Sequence, residues 1–349
     1  MAYTTINKPS EHFNTKLYSG NGSTNAITGV GFKPDWVWIK GRSGTYATEN
    51  HNVYDSTRGT TKFIIPNGTT VNSTDANSLT AFGTDGFTLG VRGDVNGAST
   101  EYCSWNFKAN GGTTSSNTDG SITSTVQANT TAGFSIVTYT GTGSAATVGH
   151  GLNSAPTYML IKNLGQARNW ANYHSAYSPS KNAEWNTTIA AESNGAAMYN
   201  STAPTSSVFS VNTATSTNES GENFVAYCWH EVKGYSKIST YTGNANSNGP
   251  FIYCGFKPAF LIIKRTASTD EREIYDSARI GYNSANYHLN VTDATAEATL
   301  SDRIDLLSNG FKIRASASGP LNASGAEYNF IAIAEAPIVG TNNVPCTAR

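Results

Sequence analysis

Apolar and polar residues alternate with a period of two through most of this chain, the spacing of half-buried strands. In EYCSWNFK, residues 101–108, Cys103, Trp105 and Phe107 alternate with Ser104, Asn106 and Lys108. Comparable runs later put Val225, Tyr227 and Trp229, then Asn329, Ile331 and Ile333, on one face. GFKPDWVWIK, residues 31–40, behaves differently: Trp36 and Trp38 point one way, Val37 and Ile39 the other, and both sets are large and apolar. A strand apolar on both faces must be covered on both. One side suits the core of its own sandwich. The other requires a loop, an adjacent module or a second subunit, because each exposed Trp ring would leave roughly 2–3 kcal/mol of burial unrealised. Trp36 and Trp38 are therefore interface candidates, as are Phe260 and Ile262 in GFKPAFLIIK, residues 255–264.

That second run is a near copy of the first, and a worn third copy, GLNSAPTYMLIK, lies between them at residues 151–162. Pro34, Pro156 and Pro258 each precede Lys40, Lys162 and Lys264 by 6 residues, and Phe87, Phe209 and Phe311 follow those lysines by 47. Proline at a strand's first residues is tolerated where one inside a ladder is not. Upstream, LYSG at residues 17–20 matches TYTG at 138–141 and 240–243; EYCSWNFK, NFVAYCWHE and EYNFIAIAE close the three units. Markers in constant order at near-constant spacing predict an all-β protein of three tandem β-sandwich (jelly-roll-like) modules of about 100 residues each. Their bounds are 14–109, 131–235 and 236–335, with an N-terminal arm at 1–13, a polar linker or surface hairpin at 110–130 and a C-terminal tail at 336–349. One helical turn or two is expected within residues 294–307, ATAEATLSDRIDLL.

Composition agrees: only 13% of residues are charged and 33 are glycine, few for helices and many for turns. The net charge of −1 and the lack of a basic run argue against nucleic acid. No apolar run approaches a membrane span, and MAYTTINKPSEHF lacks a leader's apolar core, so synthesis in a cytoplasm without export or membrane insertion is expected. Cys103, Cys228, Cys254 and Cys346 match no zinc spacing, and buried free thiols are expected. The six histidines form no ligand motif, so neither metal nor cofactor is expected.

Catalysis finds little support. Asp35, Asp55, Asp85 and Asp94 could supply the paired carboxylates of a glycosidase. VYDSTRG and IYDSARI repeat an Asp-x-x-Arg, Asp55 with Arg58 and Asp276 with Arg279, which reads as a structural ion pair; the second module has Asn172-Tyr173-His174-Ser175 instead. No catalytic residues are assigned and a non-enzyme is expected. A weakly charged surface rich in amides, hydroxyls and aromatics suits carbohydrate, and Trp170 and Trp185, set in ARNWANYHSAY and KNAEWNTTI, are the glycan-binding candidates.

The motifs GFKPDWVWIK, VYDSTRG, DGFTLG, GFSIVTYTGTGSAATVGHGL, AYCWHEVKGYSK and SNGFKIR, with the opening MAYTTINKPSEHFNTKLYSGNG and the ending EAPIVGTNNVPCTAR, resemble a family of repeat proteins from marine tailed bacteriophages. The resemblance implies a virion structural protein, a tail-fibre or tail-associated adhesin subunit contacting the host cell surface, with other virion proteins and host surface glycan as partners and, by analogy with fibres, a homotrimer. The alternative is a capsid or tail decoration protein with a purely structural role and, more remotely, a polysaccharide depolymerase. It brings no catalytic residues. The second module departs from the pattern at Asn153-Ser154-Ala155, and the third closing strand lacks Trp.

Overall fold

The computed structural model describes residues 3–279, 283 and 285–342; Cys346 lies outside them, as does the end of the C-terminal tail. Within them the chain is all-β, with antiparallel sheets and four helices of a turn or so. One strand order recurs three times. In the first unit Phe13–Ser19, Thr100–Phe107, Trp36–Gly44 and Asn52–Asp55 lie side by side. In the second the same places are taken by Phe134–Thr140, Asn223–Trp229, Tyr158–Asn163 and Ala171–His174, and in the third by Ser236–Thr242, Glu327–Pro337, Phe256–Arg265 and Arg272–Asp276. Each large sheet is backed by a small one: Asn25–Thr28, Gly86–Leu89 and Leu79–Gly83 in the first unit, Ala146–Gly149 with Val208–Val211 in the second, and Phe251–Tyr253, Gly310–Ile313 and Ile304–Leu307 in the third. Phe87, Phe209 and Phe311 occupy matching places, paired across the small sheets with Ile27, Val148 and Ile252.

The upstream marker has a structural cause. Tyr18, Tyr139 and Tyr241 stack on Tyr102, Phe224 and Tyr328 of the closing strands at 5.2, 5.2 and 4.9 Å. The glycine two residues on passes so close to the opposite loop that a Cβ would lie 2.1–2.4 Å from the carbonyl oxygens of Gly97, Glu219 and Ala323. A buried asparagine in that loop accepts from the following backbone N–H: Asn96 from Asn21, Asn218 from Thr142 and Asn322 from Asn244. The three lysines that end the repeated strand are buried and donate to carbonyls, Lys40 to Ala47, Lys162 to Arg168 and Lys264 to Ser268. Burial pushes all three down to about 8.

The cores explain the doubly apolar strand. Between its two sheets each unit holds its own core: Val37 and Ile39 with Phe87 and Tyr102, Met159 and Ile161 with Phe209 and Phe224, Leu261 and Ile263 with Phe311 and Phe330. The opposite faces meet in one common core that draws Trp36, Trp38, Trp105 and Phe107 from the first unit, Tyr158, Leu160, Tyr227 and Trp229 from the second, and Phe260, Ile262, Ile331 and Ile333 from the third. The units are thus not beads on a string. Their large sheets turn inward, and neighbours within the same chain supply the second cover.

Three expectations need correction. Of the two alternatives for residues 110–130 the linker falls and the hairpin stands: Ser115–Asn117 pairs antiparallel with Ser124–Asn129, and both extend the second large sheet, Val126 pairing with Val137. No helix forms in 294–307. Ala298–Ser301 and Ile304–Leu307 are strands, because Ile304 and Leu306 alternate inward and Asp302, at φ +55°, turns the chain between them. The closing strand is buried on both faces, for Ser104 and Asn106 are as enclosed as Trp105. Asn106 stays inside by donating to the Asn14 carbonyl.

Candidate functional site

Neither Trp170 nor Trp185 can stack on a glycan. Both are buried, at 1% and 2% exposure, and both seal contacts between units. Trp170 donates its indole N–H to the Ile65 carbonyl of the first unit at 3.0 Å, and its ring lies 6.4 Å from that of Tyr227. Trp185 packs 6.0 Å from Trp38, and the Arg272 guanidinium of the third unit sits 4.5 Å above it. The polar residues around them in sequence serve the loop itself: Asn186 Oδ1 accepts from Trp170 N, and Trp185 N donates to the Trp170 carbonyl. Trp36, Trp38, Phe260 and Ile262, placed at an interface by their pattern, line the common core at 2–5% exposure.

The Asp-x-x-Arg pairs are joints between units. Asp55 takes Arg58 Nε at 2.5 Å and, from the second unit, the Tyr227 hydroxyl at 2.6 Å. Asp276 takes Arg279 Nε at 2.5 Å and, from the first unit, the Trp105 indole N–H at 2.9 Å. Arg279 also pairs with Glu297, which Arg42 of the first unit clasps with two nitrogens. Both aspartates are wholly buried, so no substrate reaches them. Strand register puts His174 where these aspartates stand, opposite Tyr158 as they stand opposite Trp36 and Phe260. Burial holds His174 down to about 4. Asp35 is equally enclosed, accepting from Ser56 and from the backbone of Ala109 and Gly111, and burial pushes it up. Cys103, Cys228 and Cys254 are free, buried thiols, and burial pushes Cys103 and Cys254 to about 12. Among the described residues no cluster of His, Cys, Asp and Glu could hold a metal ion, and no helix is long and apolar enough to cross a membrane.

The surface offers a roomy recess between units. A cleft of about 590 Å³ separates the first from the second, walled by Thr57, Lys62 and Asn72 on one side and by Thr125, Thr140 and Asn223 on the other. Arg58 reaches its wall but is spent on Asp55, Asn72 Oδ1 and the Val53 carbonyl. The lining mixes threonine hydroxyls and asparagine amides with Tyr139, Leu164 and Phe224, with Lys62 and Thr125 open to solvent and no carboxylate in the wall. Such a surface can hydrogen-bond a polyhydroxyl ligand; it holds no acid–base pair. A second surface escapes the sequence reading. Phe251 and Tyr253 are 46% and 56% exposed on one face of the strand Phe251–Tyr253. The alternation in PFIYC, two rings against Ile252 and Cys254, was the available signal.

A family described as "Domain of unknown function (DUF7483)" matches residues 8–337, and the chain belongs to it. Comparisons with curated proteins and with solved structures give no match.

Proposed function

We propose that the protein is a structural component of a tailed-phage virion, a tail-fibre or tail-associated adhesin subunit that holds host surface glycan in the cleft between its first and second units. The observation that carries this reading is the wall of that cleft, in which threonine hydroxyls and asparagine amides predominate over Tyr139, Leu164 and Phe224, with Lys62 open. Sugar hydroxyls find donors and acceptors there, with Lys62 the open charge in the wall and Arg58 already paired with Asp55. The repeated motifs quoted above support the virion role. The common core supports it physically, because a site between two units is only as well defined as the packing that fixes them together.

Fluorescently labelled protein should adsorb to host cells. The variant Lys62→Ala/Thr125→Ala/Thr140→Ala should retain its melting temperature, since all three side chains are exposed, and lose at least ten-fold in adsorption. Adsorption unchanged in this variant would exclude the cleft. Antibody labelling that decorates the capsid rather than the tail would replace the adhesin with a decoration protein, and release of reducing ends from host polysaccharide would replace both with a depolymerase.

A further inference from the structure

The three units provide an internal control for which surface features the fold requires. Pairing with the matched phenylalanines aligns Ile252 with Ile27 and Val148. The positions flanking them in the strand are Ala26 and Thr28 in the first unit, Thr147 and Gly149 in the second, and Phe251 and Tyr253 in the third. The first unit builds this strand with small exposed residues, whereas in the second Thr147 is hydrogen-bonded to Ser121 and Gly149 is buried against Asn117. The rings of the third are therefore surplus to folding and sit where unburied apolar surface is unfavourable.

Their setting is that of a fixed platform. Ile252 and Cys254 are buried beneath, and the strand pairs with Gly310–Ile313. Tyr253 stands opposite Gly310, which has no side chain to cover its ring. The Tyr253 hydroxyl lies 3.4 Å from that of Tyr3, which donates to the Gly255 carbonyl at 3.0 Å. Lys233 caps the Tyr3 ring at 4.6 Å, making Tyr3 a wall rather than a stacking face. Beyond that wall opens a recess of about 460 Å³ lined by Thr4, Thr130, His230 and Glu231. His230 Nε2 is buried in it without a hydrogen-bond partner among the described residues.

From this we infer that Phe251 and Tyr253 form a carbohydrate-stacking platform on the third unit, with the adjoining recess supplying polar contacts to the same glycan. Residues i and i+2 of a strand lie about 7 Å apart, far enough for each ring to take its own sugar. A protein partner fits less well. Two half-exposed rings present roughly 200 Å², well short of the roughly 800 Å² per side of a stable protein interface. This inference rests on the adhesin reading for its class of ligand but uses a different surface.

The test is saturation-transfer NMR on the full chain with the tetrasaccharides of glucose, mannose and N-acetylglucosamine as probes, followed by calorimetric titration of any that bind. Phe251→Ala/Tyr253→Thr copies the first unit and should melt with the parent. The expected result is transfer to sugar ring protons for at least one probe, and at least ten-fold weaker binding by the double variant. Binding by none of the three, or equal binding by both proteins, overturns the platform. So does concentration-dependent self-association in the ultracentrifuge that the double variant abolishes, which would assign the rings to a protein contact. Host-cell adsorption separates this outcome from the adhesin reading. If it persists in the double variant but falls in the cleft variant, the platform alone fails; if the labelled protein adsorbs to no host cell, the adhesin reading fails as well.

Discussion

The first and third joints between units differ from the second, and the difference shows what the recurring ion pair is for. At the first, the Asp55–Arg58 pair receives a hydroxyl from Tyr227 of the next unit; at the third, Asp276–Arg279 receives an indole N–H from Trp105. These donors stand at one register position of the closing strand, opposite Leu160 and Trp38. The matching residue facing the second unit's strand is Ile331, opposite Ile262, which can donate nothing. A carboxylate buried against it would lack its third partner, and there the chain carries His174 and Tyr177 instead, with the Asn329 amide donating to the Tyr177 hydroxyl and Arg272 lying over Trp185. An aspartate is present where its neighbour can satisfy it and absent where it cannot, as expected when an unpaired buried charge costs more than the pair contributes.

Breaking the pairs should give the largest effect and separate even the two similar joints. Asp55→Ala strands the buried Arg58, whose ion pair is with Asp55, and should cost about 3–5 kcal/mol. Asp276→Ala leaves Arg279 paired with Glu297 at 3.0 Å and should cost visibly less. The midpoints of urea unfolding decide it: equal losses, or a smaller one for Asp55→Ala, would show that Glu297 does not compensate.

The fold class was legible because strand periodicity and repeat markers are local signals, written in Trp36–Ile39 and in the spacing to Phe87. What covers the outer face of that strand was legible only as a requirement. Which neighbour meets it depends on how three sheets converge, and no residue within one repeat encodes that. Trp170 and Trp185 misled for the same reason. Their sequence neighbours are polar because Asn182 and Asn186 bond the loop backbone, while the rings plug gaps between units far away in sequence. Phe251 and Tyr253 were visible in the alternation, but only comparison with the exposed Ala26 and Thr28 in register marks them as surplus to the fold.

Acid should weaken the second joint through His174. Burial holds His174 at about 4, below the ordinary histidine value of 6.5. The unfolded chain therefore binds the proton first, so stability is fully present above pH 6.5 and is lost as pH falls toward 4, on the order of 2–3 kcal/mol from this group. His51, His150 and His288 are also held down by burial and add to the loss. His174→Asn removes one share only. Melting temperatures between pH 7 and pH 4 should fall less steeply in this variant than in the parent, and identical slopes would mean that His174 is not titrating in its buried position.

The smallest effect tests whether the donor from the neighbouring unit matters in itself. Tyr227→Phe removes the hydroxyl that Asp55 accepts at 2.6 Å while keeping the ring, which stays packed 5.7 Å from Trp36 and 6.4 Å from Trp170. No cavity forms, so the loss should be that of one hydrogen bond to a charged group, about 1.5–2 kcal/mol. Trp105→Phe, its counterpart at the third joint, removes the donor to Asp276 but also ring volume, and would confound the two. The clean measurement is a double-mutant cycle at the first joint. In an Asp55→Ala background the hydroxyl has lost its acceptor and keeps only the 3.4 Å contact from Arg58 Nη2, so Tyr227→Phe should then cost much less, giving a coupling that is most of the single-variant loss. Additive losses would mean that the Tyr227 hydroxyl contributes independently of Asp55, and that the aspartate's presence is not tied to the donor across from it.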